Sequence, residues 1–494
     1  MTSDQSKVVD GTCRAAWSAW GSLADAGTRA GVLEALAAGL DEIREEVLRV
    51  ASEESALTPA ELAPEFARMT GTLRQFAAVA REGSWIGAMI DHASPEPVGA
   101  FGGVVGPAHD VRRVLVPLGP VSVFGASNFP LAYGACGGDT ASALAAGCPV
   151  IVKEHPAHPR TGRLIVGAAR EALRGAGHSE DLIALVENAD PRDLSPATAL
   201  VGHPMVRAVG FTGSQRAGLE IARLARERAE PIPAYCEMGS CNPVVVTREA
   251  AVARGEAIGR QVAESILLRH GQQCTCPGLL ILPPGCGAVV EALAARLAAA
   301  DPRAMLAPWV RDGYLHRLAE CRKARGVETV VYGREGSGQR QAGTCLLRVG
   351  AADFAAQPVL HEEVFGPSVL VVELGGMSEL RTLPLRGALV GSLYGGVADE
   401  GWDLARNRLA SMCGRVVFEG VPTGVRVAGA MVHGGPFPAT NRPESTACGP
   451  MALARWCRPV CLQNAPKEAL PAELRDGSWH GTRVVDGRVV PGAG

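Results

Sequence analysis

Apolar residues recur at three- and four-residue spacing through residues 10–92, as in Val32, Leu33, Leu36, Leu40 and Ile43, and predict a layer of amphipathic helices. The pattern breaks over 93–110, where Pro and Gly accumulate and predict a loop or linker. Extended alternation returns at 111–120, and its two prolines suit an edge or bridging strand. From Val121 short, mostly apolar runs that read as buried strands, at 121–125, 149–153, 182–186, 208–212 and 234–236, alternate with helical stretches. Those helices fall at 138–147, 160–175, 191–201 and 215–228, with Asp139 or Thr140 as the cap of the first. Strands and helices in this alternation predict a doubly wound α/β domain of the Rossmann type. A second α/β segment runs from Asn242 to about Phe437 and contains an Ala/Leu-rich helix at 287–299. The chain closes on Arg483-Val-Val-Asp-Gly-Arg-Val-Val490, two β-branched arms about Asp-Gly that predict a hairpin. Such an edge is available to a neighbour's sheet, so a homodimer or homotetramer is expected.

Composition narrows the class. At 494 residues, 47% hydrophobic and 20% charged, the chain has core material for two or three domains. A net charge of −3 without a basic run gives no footing for nucleic acid or an anionic membrane. The polar opening Met1–Lys7 and the lack of any apolar stretch near 18 residues lead to the expectation of a soluble, cytoplasmic protein. Fourteen irregularly spaced cysteines suit a reducing compartment rather than a disulfide scaffold. Only one residue separates Cys274 from Cys276, closer than paired ligands of structural zinc usually stand, so no metal is expected.

The stretch Ile266–Gly278 carries the most chemistry. A polar Gly-Gln-Gln-Cys-Thr turn separates a helical run from the strand-like Leu279–Leu282. A cysteine so placed is held by rigid elements yet open to a ligand, as a reactive thiol must be. Taken alone, the commoner role of such a cysteine is a small buried hydrophobe. No Gly-x-Gly-x-x-Gly follows any predicted strand, and the nearest substitute for a pyrophosphate cradle is the turn holding Gly213 and Ser214.

Several separate stretches, in order, resemble the aldehyde dehydrogenase superfamily: Gly-Ala-Ser-Asn-Phe-Pro at 125–130, Pro-Val-Ile-Val-Lys at 149–153 and Phe-Thr-Gly-Ser at 211–214. Further along, Glu-Met-Gly-Ser-Cys-Asn-Pro at 237–243, Gly-Gln-Gln-Cys-Thr at 271–275 and Glu-Glu-Val-Phe-Gly-Pro at 362–367 continue the likeness. Within it, the chain is most similar to an NADP-preferring branch of α-ketoglutaric semialdehyde dehydrogenases. The stretches at 112–120, 137–149, 155–159, 421–425, 431–436 and 458–461 carry that closer likeness. The resemblance implies a nucleotide-binding domain (1–98 and 118–238), a catalytic domain (239–465) and an oligomerisation element (99–117 and 466–494).

It also implies roles. Cys274 becomes the nucleophile, Asn128 an oxyanion donor and Glu237 the base that activates water against a thioester. Lys153 reaches the adenosine ribose, Gly213 and Ser214 the pyrophosphate, and Glu363 and Phe365 the nicotinamide ribose and ring. NAD-specific relatives often carry an acid three positions after this lysine, where Pro156 stands here beside His155. NADP is therefore the expected cofactor, with NAD as the alternative. Glu154, the next residue along the strand, should face away. Phe129, Tyr133, Arg269, Gln273, Thr275 and Phe437 are the expected pocket residues, with Arg269 either a partner for a substrate carboxylate or a surface arginine. The expected reaction is NAD(P)-dependent oxidation of a small semialdehyde acid. Oxidation of another aldehyde, or hydrolase or acyltransferase chemistry at Cys274, is the alternative.

Overall fold

The computed structural model describes residues 3–93, 109–188, 190 and 193–492. The linker expected over 93–110, and residues 99–108 of the expected oligomerisation segment, lie for the most part outside them. Among the described residues no helix is long and apolar enough to cross a membrane.

Two α/β layers and a smaller β-sheet make up the molecule. The first is a five-stranded parallel sheet in the order Ile183–Val186, Val150–Lys153, Val121–Phe124, Ala208–Thr212, Ala234–Glu237. Its chain begins at the centre, runs outward to one edge, then returns to fill the other. That reversal puts the switch point between Val121–Phe124 and Ala208–Thr212, beyond whose carboxyl ends ligands of doubly wound sheets bind. Every residue of Val121–Phe124 is buried, as expected for a strand covered on both faces. The helices Ala26–Glu42 and Pro59–Glu82 form part of that cover, with Leu33, Leu36, Leu40, Leu62, Phe66, Met69 and Leu73 in the same core as Val121, Val123 and Val152. Helix Pro59–Glu82 starts at a Thr58–Glu61 capping box and stops at left-handed Gly83. It carries Glu65 and Arg68 one turn apart, on one face.

The second sheet has seven strands in the order Glu328–Tyr332, Cys345–Gly350, Ser368–Glu373, Leu279–Leu282, Pro243–Val246, Ala388–Tyr394, Cys413–Phe418. Only the first of these runs antiparallel to its neighbour. Glu237 ends the last strand of the first sheet and Pro243 starts a central strand of the second. The carboxyl edge of one sheet therefore faces the amino edge of the other. A third sheet pairs Cys457–Gln463, Val111–Pro117, Met89–Asp91, Arg483–Val485 and Arg488–Val490, with the hairpin turning at Asp486-Gly487.

Some expectations are corrected. Met89–Asp91, read as the end of a helical region, is a strand. Its three residues are too short for a period-two signal and owe their pairing to Val111–Pro117. Cys457–Gln463, assigned to the catalytic domain, pairs with Val111–Pro117 in the third sheet. Neither Asp139 nor Thr140 caps the helix Gly138–Ala146, which starts from the Gly137 backbone without a side-chain cap. Asp139 instead pairs with buried Arg455 at 2.7 Å, and the Thr140 hydroxyl donates to the Ala135 carbonyl.

Candidate active site

The facing sheet edges bring Asn128, Glu237 and Cys274 to one cleft. Asn128 stands on the loop after Val121–Phe124, a segment tight enough that a Cβ at Gly134 would lie 1.8 Å from the Pro130 carbonyl oxygen. Its side-chain amide donates to the Gln272 carbonyl at 3.1 Å, crossing from the first layer to the nucleophile turn with a second N–H to give. Glu237 is 7% exposed, and its Oε2 is buried without a hydrogen-bond partner. Cys274 is half-buried beside Leu389, Val390 and Ala439.

The turn holding Cys274 is strained and clamped. Arg269, His270 and Gly271 are left-handed in succession, with φ of 49°, 55° and 69°. For non-glycine residues this costs on the order of 1–3 kcal/mol each and persists only when the surroundings over-determine it. Here they do. The Arg269 guanidinium sits 2.8 Å from the Glu65 carboxylate, donates to the carbonyls of Asn128 and Glu61, and lies 4.2 Å from the centre of the Phe129 ring. His270 meets the Ala342 carbonyl at 2.9 Å. Gly271 is packed so closely that a Cβ would stand 2.2 Å from the Gly366 oxygen, in the Glu-Glu-Val-Phe-Gly-Pro stretch. On the far side, the Asn242 amide donates to the Cys274 carbonyl at 2.7 Å and the Cys276 carbonyl at 2.9 Å.

Charge in the cleft is set by burial. Burial, reinforced by the neighbouring carboxylates of Glu237 and Glu363, pushes the Cys274 thiol up to about 12, against a smaller opposing pull from Arg68. Burial likewise raises Glu237 to about 8 and Glu363 to about 8. The nearest basic group to the sulfur is His433, whose Nε2 lies 3.7 Å from Cys274 Sγ. Burial, with Arg68 and Arg415 adding to it, lowers His433 to about 4, so its imidazole is neutral near pH 7.

The groups suited to a nucleotide lie along the same edge. Lys153 ends its strand half-buried, its pKa lowered by burial. Ser214 caps the helix Gln215–Arg226 through its hydroxyl, leaving the first turn exposed. Gly213 corrects expectation in detail: its N–H is committed to the Glu237 carbonyl at 3.0 Å. What it contributes is space, since a Cβ there would stand 2.7 Å from the Phe211 ring. His155 and His158 stack at 4.7 Å, and His158 holds the Ala126 carbonyl of the Asn128 loop. Pro156 lies half-exposed between them. Glu154 turns away to Arg163 and the Asn188 N–H. The Glu363 carboxylate lies beside the backbone of Gly239 and Ser240, and Phe365 packs against the core of the first layer. A Cβ at Gly239 would come within 2.6 Å of Glu363 Oε2 and would make that carboxylate shift.

Among the expected pocket residues, Phe129 and Tyr133 face each other edge-on at 5.7 Å, and Tyr133 stacks on His433 at 6.1 Å. Gln273 and Thr275 are buried in the turn itself, with the Gln273 amide donating to the Leu268 carbonyl. Phe437 is 48% exposed, beside Arg386. Arg269 is corrected: it is neither at the surface nor at the mouth, because its guanidinium is occupied by Glu65 and two carbonyls. Asn242 and His433 lie in the stretches 237–243 and 431–436, whose likeness gives them no role. A buried Asn with φ of 41° before Pro243 is the one local hint at the first. Nothing local marks the second.

The sequence profile of the aldehyde dehydrogenase family matches residues 1–381. The chain is 41% identical to "Alpha-ketoglutaric semialdehyde dehydrogenase 2" of Azospirillum brasilense, over 91% of this chain and 85% of that protein. It is 37% identical to an "Alpha-ketoglutaric semialdehyde dehydrogenase" of Acinetobacter baylyi, over 93% and 86%. Among solved structures, a 1-pyrroline-5-carboxylate dehydrogenase from Thermus with bound NAD superposes with a TM-score of 0.75 at 20% identity, over 92% of this chain and 85% of that one.

Removing Arg269 should expose the clamp. Arg269→Met leaves Glu65 buried and unpaired, a situation that typically costs about 3–5 kcal/mol. The urea midpoint should fall accordingly, and Glu65→Gln added to it should restore part of the loss. An unchanged midpoint in the single variant would show the pair to be idle.

Proposed function

The chain belongs to the aldehyde dehydrogenase family, and on that premise we propose that it oxidises α-ketoglutaric semialdehyde to 2-oxoglutarate at Cys274 with NADP. Aldehyde oxidation to the acid with NAD(P) follows from membership. The substrate rests on the two relatives so named, and the site assignment on the meeting of Cys274, Asn128 and Glu237 across one cleft.

The buried thiol must lose its proton to attack. The neutral His433 imidazole, 3.7 Å away, is its hydrogen-bond partner, while Glu237, raised to about 8 and acting on the same sulfur, is the stronger base for that proton. The sulfur then adds to the aldehyde carbon, and the carbonyl oxygen becomes an oxyanion that Asn128 Nδ2 and the Cys274 backbone N–H receive. One such donor is typically worth ~10²–10³ in rate. Lys153, Ser214 and the first turn of Gln215–Arg226, with Glu363 and Phe365, would hold the dinucleotide, and the nicotinamide supplies the hydride acceptor. The resulting Cys274 thioester is opened by water, and Glu237 takes the water's proton. A carboxyl raised to about 8 by burial is half ionised there and a stronger base than a solvated glutamate. Support for NADP is the turned-away Glu154 and the Pro156 that stands where an acid would repel a 2′-phosphate.

We also read the third sheet, enlarged by Met89–Asp91 and Cys457–Gln463, as the element through which copies associate. The exposed valines 489 and 490 on its outer strand support that reading. The reducing cytoplasm suits fourteen free cysteines.

Two measurements bear on this directly. Where thioester hydrolysis limits turnover, ionisation of Glu237 should make kcat climb about tenfold per pH unit below about 8 and level off above it. Glu237→Gln should lower kcat by ~10²–10⁴ and abolish that slope. A wild-type profile flat from pH 6 to 9 would remove Glu237 as the base. In parallel, kcat/KM with NADP should exceed that with NAD, and the reverse order would overturn the cofactor preference.

A further inference from the structure

Arg68, on a helix of the first layer, and Arg415, on an edge strand of the second, both act electrostatically on Cys274, and among the described residues neither forms an ion pair. Arg68 is half-buried on helix Pro59–Glu82. It donates to the Tyr133 hydroxyl at 2.7 Å and lies 5.2 Å from the centre of that ring. Tyr133 stacks on His433, whose Nε2 is 3.7 Å from Cys274 Sγ. Arg68 is thus two side chains from the sulfur. Arg415 comes from strand Cys413–Phe418, half-buried, on the same face as Val417 by the alternation of a strand. Val417 packs on the cluster that includes Cys274. Arg415 donates to the carbonyls of Gly424 and Pro422. Both cations bear on His433, whose basicity they depress after burial itself.

Other arginines in the molecule show how such a charge is normally satisfied. Arg455 and Arg269 meet carboxylates, and Arg228, which has none, meets three backbone carbonyls. Arg68 has one hydroxyl, which also faces the Cys448 sulfur at 3.9 Å. Two incompletely matched guanidiniums beside a desolvated thiol make a place for an anion, and their forked donors suit the planar carboxylate.

We propose that Arg68 and Arg415, with the Tyr133 hydroxyl, form a subsite for the distal carboxylate of the aldehyde, selecting short acids that bear a formyl group at the far end. This rests on the aldehyde-oxidising reading of Cys274 and moves to Arg68 and Arg415 the task that the sequence had suggested for Arg269.

The test compares kcat/KM for α-ketoglutaric semialdehyde, succinic semialdehyde and uncharged butanal in the wild type, Arg68→Met, Arg415→Met and the corresponding lysine variants. Loss of a hydrogen bond to a charged group corresponds to about 10–100-fold. Each methionine variant should lose that much with both acids, mostly in KM, and far less with butanal, whose turnover also shows that the variant is folded. Lysine should recover part of it. Equal losses for acids and butanal, or an unchanged preference, overturn the subsite. A wild type that prefers succinic to α-ketoglutaric semialdehyde, with the arginine effects intact, refutes the substrate assignment and upholds the subsite. One that does not distinguish acids from butanal overturns both.

Discussion

The buried pair of Glu65 and Arg269 is the joint on which the cleft depends. One carboxylate oxygen of Glu65 accepts from the N–H groups of Leu131 and Ala132, and the other lies 2.8 Å from Arg269. Arg269 in turn holds the carbonyls of Asn128 and Glu61. A helix of the first layer, the Asn128 loop and the nucleophile turn of the second layer are therefore one unit. Burying the two charges is expensive, and burial raises the Glu65 pKa despite the partner. The return is geometric. The pair keeps left-handed backbone at Arg269 and His270 in place, and Asn242 fixes the other end of the turn, so Cys274 has little freedom to drift.

The electrostatics of the site follow from the same burial. Glu237, Glu363 and Cys274 are all pushed towards their neutral forms. The cleft at rest holds little negative charge, although three acids of different strength line it. Its cations, Arg68 and Arg415, sit on the substrate side. An anionic substrate therefore meets positive charge first and an un-ionised thiol second, and the thiol gains its charge only as its proton passes to a neighbouring base. Neutral His433 is the one imidazole within reach of that proton.

Much of this was legible in the sequence, and the reasons are local. Short, mostly apolar runs such as Val121–Phe124 and Leu279–Leu282 read as buried parallel strands because both faces are covered. Asp486-Gly487 read as a hairpin because its backbone demands it. Cys274, Glu237 and Asn128 were found through ordered motifs. What escaped depends on partners distant in the chain. Arg269 could not be assigned without knowing that Glu65 lies under it. Asp139 looked like a cap until Arg455 arrived from the far end. Met89–Asp91 is a strand only because Val111–Pro117 pairs with it. Arg68 and Arg415 carry no motif, the stretch 431–436 gives His433 no role, and only the packing of Tyr133 between helix and cleft brings Arg68 and His433 together.

The central claim, that Cys274 carries the acyl group and Glu237 releases it, can be seen as mass. Glu237→Gln incubated with NADP and α-ketoglutaric semialdehyde should accumulate one 2-oxoglutaryl group per chain, located by peptide mapping to the peptide that contains Cys274. An unmodified protein, or an adduct on another cysteine, would contradict the account.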